Sequence, residues 1–336
     1  MTQTITARAS DTTARGSDYA RLSRLVRERG LLRRRPGYYT MKMIVDAVLF
    51  AGGWTAFALV GNSWWQLAVA AYLGLIWTHI AFLGHDIGHH QVFAKRRATT
   101  VGGVVCGNLA IGVSRGWWVD KHNRHHSHPN HVGQDPDIGD GVIVWTPEQA
   151  ARRSGFARAF ASLQGWLFFP LLLLEGLNLH VSSVRAMSRR RWPEAVALAT
   201  HGIVYVGALF WVLPPSKAIA FLLLHKAVWG LYMGATFAPN HKGMPIFGED
   251  DKIDFLRRQV LTSRNVRGGR LIAFLLGGLN YQVEHHLFPS MPRPALRRAQ
   301  PIVRDYCLEH GIKYTEAGLI ESYRIALKHL DEVGAH

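Results

Sequence analysis

Four runs of about twenty apolar residues, at 43–61, 64–84, 195–213 and 218–238, constrain this chain more than any other feature. A helix rises about 1.5 Å per residue, so roughly 20 apolar residues cross the hydrocarbon of a bilayer. The first two runs are joined by Asn62 and Ser63 alone, and the second two by Pro214, Pro215, Ser216 and Lys217. Each pair reads as a tight hairpin. The short connections carry no acid and one Lys, whereas the long segments on the other side hold nearly all the Lys and Arg. The positive-inside rule then places both termini and residues 85–194 on the cytoplasmic side. The expected fold is an all-α integral membrane protein with four transmembrane helices in two hairpins.

A fifth apolar run, 159–179, is interrupted by Pro170 and carries Glu175 and Asn178. A third crossing there would put late and early polar segments on opposite faces, so the run reads as an interfacial or re-entrant helix. Residues 101–113 are too short and Gly-rich to span. Residues 1–40 read as a basic cytoplasmic tail, disordered at its Thr/Ser/Ala-rich start, with Tyr19 to Arg35 forming an amphipathic helix on anionic lipid. Residues 41–315 make the membrane domain and 316–336 a cytoplasmic C-terminal tail. The net charge of +16 is spread beside membrane blocks, including the Arg runs 33–35 and 189–191, which argues for membrane lipids as partners and against nucleic acid.

Histidine is the outlier, with 18 residues, half of them in four short segments. The first is His85-Asp86-Ile87-Gly88-His89-His90, where His85 and His89 share a helical face and His90 points off it. The second is His122-Asn123-Arg124-His125-His126, whose spacing puts three rings on one stripe. The third is Gln282-Val283-Glu284-His285-His286, with Gln in the first place, and His241, after Asn240, follows the last apolar run. One such spacing arises by chance with odds of roughly 5% in a chain this rich in His. Four histidine segments on one side of the membrane form a constellation. The two cysteines, Cys106 and Cys307, exclude a disulfide scaffold, a thiolate zinc site and a cysteine-ligated cluster.

His85, His89, His122, His125, His126, His241, His285 and His286 are too many for one zinc with four ligands and suit two ions. Imidazole alone does not name the metal; the membrane setting and the lack of a hydrolase nucleophile favour iron and O2. Asp86, Asp120 and Glu284, each close in sequence to these histidines, are candidates to accept the second ring N–H. His79, His180, His201 and His225 lie in apolar runs without metal spacing and read as packed side chains, and His128 and His131 as loop residues. Trp54, Trp64, Trp65 and Trp211 suit an interfacial belt, whereas Trp117 and Trp118 suit an acyl tunnel or the core.

At these segments the chain resembles the membrane fatty acid desaturase family. His85 to His90, then Asn123-Arg124-His125-His126 with Pro129-Asn130 and Asp135-Pro136-Asp137, then Asn280-Tyr281-Gln282-Val283-Glu284-His285-His286-Leu287-Phe288-Pro289 follow its pattern in order. The resemblance covers about residues 40–310, and the Gln-x-x-His-His segment resembles the branch of front-end and bacterial acyl-CoA or acyl-lipid desaturases. It implies a cytoplasmic helical cap around a di-iron centre ligated by the eight histidines, with Asn240 or Gln282 acting through water. It further implies O2 as co-substrate and a cis double bond introduced into an acyl chain on CoA or lipid, in a bacterial-type plasma membrane. No haem, flavin, nicotinamide or iron–sulfur motif is present in the sequence, so a separate electron donor is expected: a ferredoxin, a cytochrome or an NAD(P)H-dependent reductase. The competing readings are a hydroxylase, ketolase or sphingolipid desaturase on the same scaffold, and a His-rich membrane metal transporter, which would place its ionisable groups mid-span.

Overall fold

The computed structural model describes residues 17–188 and 191–336, so the Thr/Ser/Ala-rich start and Arg189-Arg190 lie outside the described residues. The fold is helical, and four helices are long and apolar enough to cross a membrane: Pro36–Val60, Gln66–Gly88, Trp192–Val212 and Pro215–His241. They outrun the apolar blocks because polar residues at the histidine-bearing ends continue the same helices. Pro36, Pro193 and Pro215 open three of them, where a missing N–H leaves no bond unmade. The second span stands most deeply in the protein, with Leu73, Trp77 and Thr78 fully buried. At one end the turns meet: Gln66 donates to the Phe57 and Gly61 carbonyls, and Lys217 donates to Asn62.

The run 159–179, expected as one helix, is broken. Gly155–Ser162 and Gln164–Leu172 are followed by Glu175–Arg185, and the last two are bent by 74°. Pro170 supplies no N–H to the ladder, and the bend lays Glu175–Arg185 along the fourth span. Gly176 and Gly230 meet there with no room for a Cβ on either. Residues 101–113 run through Arg96–Gly103 and a π-helical turn, Val104–Ala110, that packs on the third span.

Beyond the histidine-bearing ends the chain forms a small folded body. Asp18–Glu28 does not lie free on lipid: Leu22 and Val26 are fully buried with Leu256, Leu287, Leu296 and Val303. Its apolar stripe is narrow enough to be covered by protein. Residues 316–336 are folded as well. Glu316–Gly318 pairs in parallel with Asn265–Arg267. Leu319–Gly334 then packs Leu330 against Phe168, Leu172 and Ala238.

Candidate metal centre

Each histidine segment reaches the centre from a different element. His85 lies in the last turn of the second span, and His89 caps that helix, its N–H donating to the His85 carbonyl. His90 follows with φ 59, is exposed and turns away. The second segment rides on Arg115–Ser127, begun by Ser114, whose hydroxyl accepts from Trp117 N. Pro129 stops that helix, leaving His128 and His131 in the following loop. His241 is the last residue of the fourth span, and His285 and His286 sit on the short helix Gln282–Leu287.

Their nitrogens converge in two groups. In His85, His89, His122 and His285, and separately in His125, His241 and His286, one ligand nitrogen per residue lies within 4.8 Å of the others. His126 stands between the groups, stacked on His286 at 4.2 Å between ring centres and with Nε2 3.1 Å from Nε2 of His122. Seven of the eight are buried and His122 is half-buried. The Nε2 atoms of His85, His89, His285 and His286 are enclosed and meet no hydrogen-bond partner. Leaving one such nitrogen unpaired costs about 1–3 kcal/mol. Several facing one another is the arrangement that cations, bound by those lone pairs, would relieve.

Electrostatics agrees with that use. Burial, reinforced by the neighbouring rings, holds His89, His122, His126, His285 and His286 well below the ordinary histidine range, so they are neutral as ligands must be. For His125 burial works the same way, but the Asp135 and Asp137 carboxylates outweigh it and raise the ring.

Hydrogen bonds to the other ring nitrogen set the tautomers. Nδ1 of His125 donates to Asp135 at 3.0 Å, that of His241 to the Thr262 carbonyl at 2.9 Å, and that of His286 to Gln259 Oε1 at 2.9 Å. Each turns its Nε2 lone pair inward, that of His241 toward the Gln282 amide. Asp86 meets His85 Nδ1 at 3.3 Å, and its other oxygen pairs with half-buried Arg293 at 2.6 Å. The Gln282 amide reaches His241 Nε2 at 2.8 Å and accepts from Asn240.

Two expected supports stand elsewhere. Asp120 lies off the stripe of His122, His125 and His126, and its 62% exposed carboxylate pairs, among the described residues, with Arg124 alone. Glu284 faces away from the rings, accepting from Tyr314 and Asn265. Burial pushes its carboxyl up to about 7. Asp86 is near His85 as expected, and Asn240 and Gln282 line the same space. Among the supports the sequence did not single out, Gln259 and Thr262 come from a helix with no histidine, so no local signal marks them. Asp135 was visible only as part of Asp-Pro-Asp.

Three of the histidines in the apolar runs, His180, His201 and His225, pack together around Trp77, whereas His79 packs on Phe82 and Phe274. His180, bonded to the Gly112 carbonyl, accepts from Lys226 Nζ at 2.8 Å, and His225 meets the Tyr205 hydroxyl at 2.6 Å. Lys226 lies 4.0 Å from the centre of the Trp77 ring, and Trp118, outside that cluster, stacks on His122 at 4.4 Å.

Comparison with known proteins agrees with this centre. A family model described as fatty acid desaturase matches residues 62–318. An acyl-lipid (9-3)-desaturase of Physcomitrium patens is 30% identical over 309 residues, covering 88% of this chain and 58% of that protein. A delta(5) fatty acid desaturase of Caenorhabditis elegans is 30% identical over 307 residues, 86% of this chain and 67% of its own length. An acyl-lipid 8-desaturase of Rebecca salina is 31% identical over 295 residues, 84% of this chain and 67% of its own. The chain thus spans between about half and two thirds of these relatives. With a match running through all four histidine segments, the chain belongs to the fatty acid desaturase family.

Proposed function

We propose that this protein is an O2-dependent desaturase that introduces a cis double bond into a fatty acyl chain carried on CoA or lipid. The observation that carries the reading is the convergence of eight histidines from four distant segments, seven of them in two groups with His126 between, and with four Nε2 atoms enclosed and unpartnered. In this reading His85, His89, His122 and His285 hold one iron, and His125, His241 and His286 the other. His126 completes the pair, and Gln282 and Asn240 act from beside His241. The iron pair, when bound, supplies the oxidant that unactivated C–H bonds require and no side chain can provide.

The chain's own residues supply position. Asp86, Asp135, Gln259 and the Thr262 carbonyl orient four of the rings, and the enclosed setting keeps bulk water from the reacting carbons. The reaction removes two hydrogens from adjacent methylenes as the C=C bond forms, and reduces O2 to two waters with two electrons and two protons delivered from outside. A ferredoxin, cytochrome or reductase delivers the electrons, steered by the basic surface.

We further place the four spans as two hairpins, with both termini and the folded body on the cytoplasmic side as a cap over the centre. The long segments' Lys and Arg support that orientation. The deciding experiment is metal analysis with product analysis on one preparation. Two irons per chain and a new O2-dependent cis double bond in host lipids support the proposal. A hydroxylated product in place of the alkene, or activity in iron-free protein, overturns it.

A further inference from the structure

We propose that Arg293 is a positioning residue for the metal group of His85, His89, His122 and His285 alone: it ties the start of the helix Arg293–Glu309 to Asp86, and through Asp86 to the ring of His85. The inference deepens the proposed function and rests on its metal centre.

Arg293 is the first residue of its helix, after Pro292. A cation there opposes the helix dipole, so the helix does not account for it. The side chain runs instead to the histidine-bearing end of the second span. One guanidinium nitrogen meets both the Asp86 carboxylate at 2.6 Å and the Phe82 carbonyl at 3.0 Å. With His85 Nδ1 at 3.3 Å from the other Asp86 oxygen, ring, carboxylate and guanidinium form one line of contacts. Asp86 is 2% exposed, and among the described residues the oxygen that faces Arg293 has no hydrogen-bond partner besides this ion pair. Without Arg293 its charge would be stranded in the protein interior.

The surroundings are shaped for this reach. Gly277 and Gly278 pass over it with φ 60 and 82. A Cβ on Gly277 would lie 2.5 Å from the Phe82 ring, and one on Gly278 2.4 Å from Cγ of Arg293. Only glycine lets the loop close on both side chains.

A parallel set of bonds joins the same segments. The Arg293 N–H donates to the Tyr39 hydroxyl at 3.2 Å, Tyr39 donates to Gln91 Oε1 at 2.6 Å, and Gln91 Nε2 donates to the Pro289 carbonyl at 2.8 Å. Gln91 follows closely on His89, and Pro289 on His285, so these bonds hold the first and third histidine segments in register. The rings reached this way, His85, His89 and His285, belong to one group. The other group has its own tie in Gln259, which bonds to His286. Each metal is thereby supported by its own set of buried polar contacts.

The parent protein, Arg293→Met, Asp86→Asn and the double variant are loaded with Fe(II) without O2, dialysed against graded chelators, and compared in retained iron and Mössbauer spectrum. Arg293→Met should weaken one iron about 10- to 100-fold and leave the other with the parent's signal. The double variant strands no charge and should hold iron no more weakly than Arg293→Met. Two irons held as firmly as in the parent, equal loss of both, or losses that add in the double variant overturn the proposal. Should Arg293→Met not fold, the double variant is set against the parent: loss of one iron supports the proposal, and two irons held as in the parent overturn it. Thermal midpoints of the same four proteins without metal test the pairing apart from the metal reading. The double variant should fall by less than the sum of the single variants, and additive falls overturn the pairing. Coupled midpoints in a parent that binds no iron would support the pairing while refuting the metal centre it is proposed to serve.

Discussion

Gln259 is the residue on which the proposed metal centre can be tested most sharply. It is fully buried on Phe255–Leu261 and joins two histidine helices. Its Nε2 donates to the His126 carbonyl at 2.8 Å, and its Oε1 accepts from His286 Nδ1 at 2.9 Å. Gln259→Met keeps the length and volume, so lost packing should be worth less than about 1.5 kcal/mol. Both hydrogen bonds go, stranding a ring N–H and a carbonyl at about 1–3 kcal/mol each. With no acceptor at Nδ1, the His286 ring gains access to the tautomer that carries its proton on Nε2, the nitrogen facing the second group. Iron affinity should fall about 10- to 100-fold, or about 1.4–2.8 kcal/mol. The assay is retained iron per chain after dialysis against chelators of graded strength. Gln259→Glu returns an acceptor to His286 without the donor, and should regain most of the affinity. Two irons held as firmly in the Met variant as in the parent would refute the reasoning, as would a Glu variant no better than Met.

Other outcomes follow from the same geometry. Asp120→Asn should leave iron content and turnover unchanged, because an exposed pair with Arg124 is worth about 0–1 kcal/mol; lost iron would restore Asp120 to the centre. Leu330→Ala should cost about 2–5 kcal/mol, seen as a lower thermal midpoint of the solubilised protein; an unmoved midpoint would show that the C-terminal helix is dispensable. Burial pushes the Cys307 thiol up to about 12. At pH 8 only about one thiol in 10⁴ is then ionised. Maleimide should therefore label Cys307 only after unfolding, and rapid labelling of folded protein would contradict the packed core around it.

The four spans were legible because lipid imposes its demand locally: about 20 apolar residues must come together in sequence. The histidine segments were legible for a related reason, since helical spacing aligns His122 with His125 and His126 within one stretch of chain. Interrupted segments read less well. In the run 159–179 Pro170 marks an interruption, but the contact of Gly176 with Gly230 that fixes where the bent helix lies is visible only in the structure. The basic helix at Asp18–Glu28 has the pattern of a lipid-facing element, yet protein covers Leu22 and Val26. Amphipathicity says that a face needs cover and not what covers it.

The same division holds at the centre. The sequence alone named the candidate ligands, since side-chain type and spacing are local properties. How they divide was decided only by the tertiary structure: His285 joins His85, His89 and His122, while its neighbour His286 joins His125 and His241. Adjacent residues on a helix point about 100° apart, so two consecutive rings serve different groups only once other elements approach from both sides. The supports show the same dependence. Asp120 and Glu284 are neighbours of the histidines in sequence but not in space, whereas Gln259 and Thr262 are the reverse, because a hydrogen bond needs an atom within about 3 Å from any part of the chain.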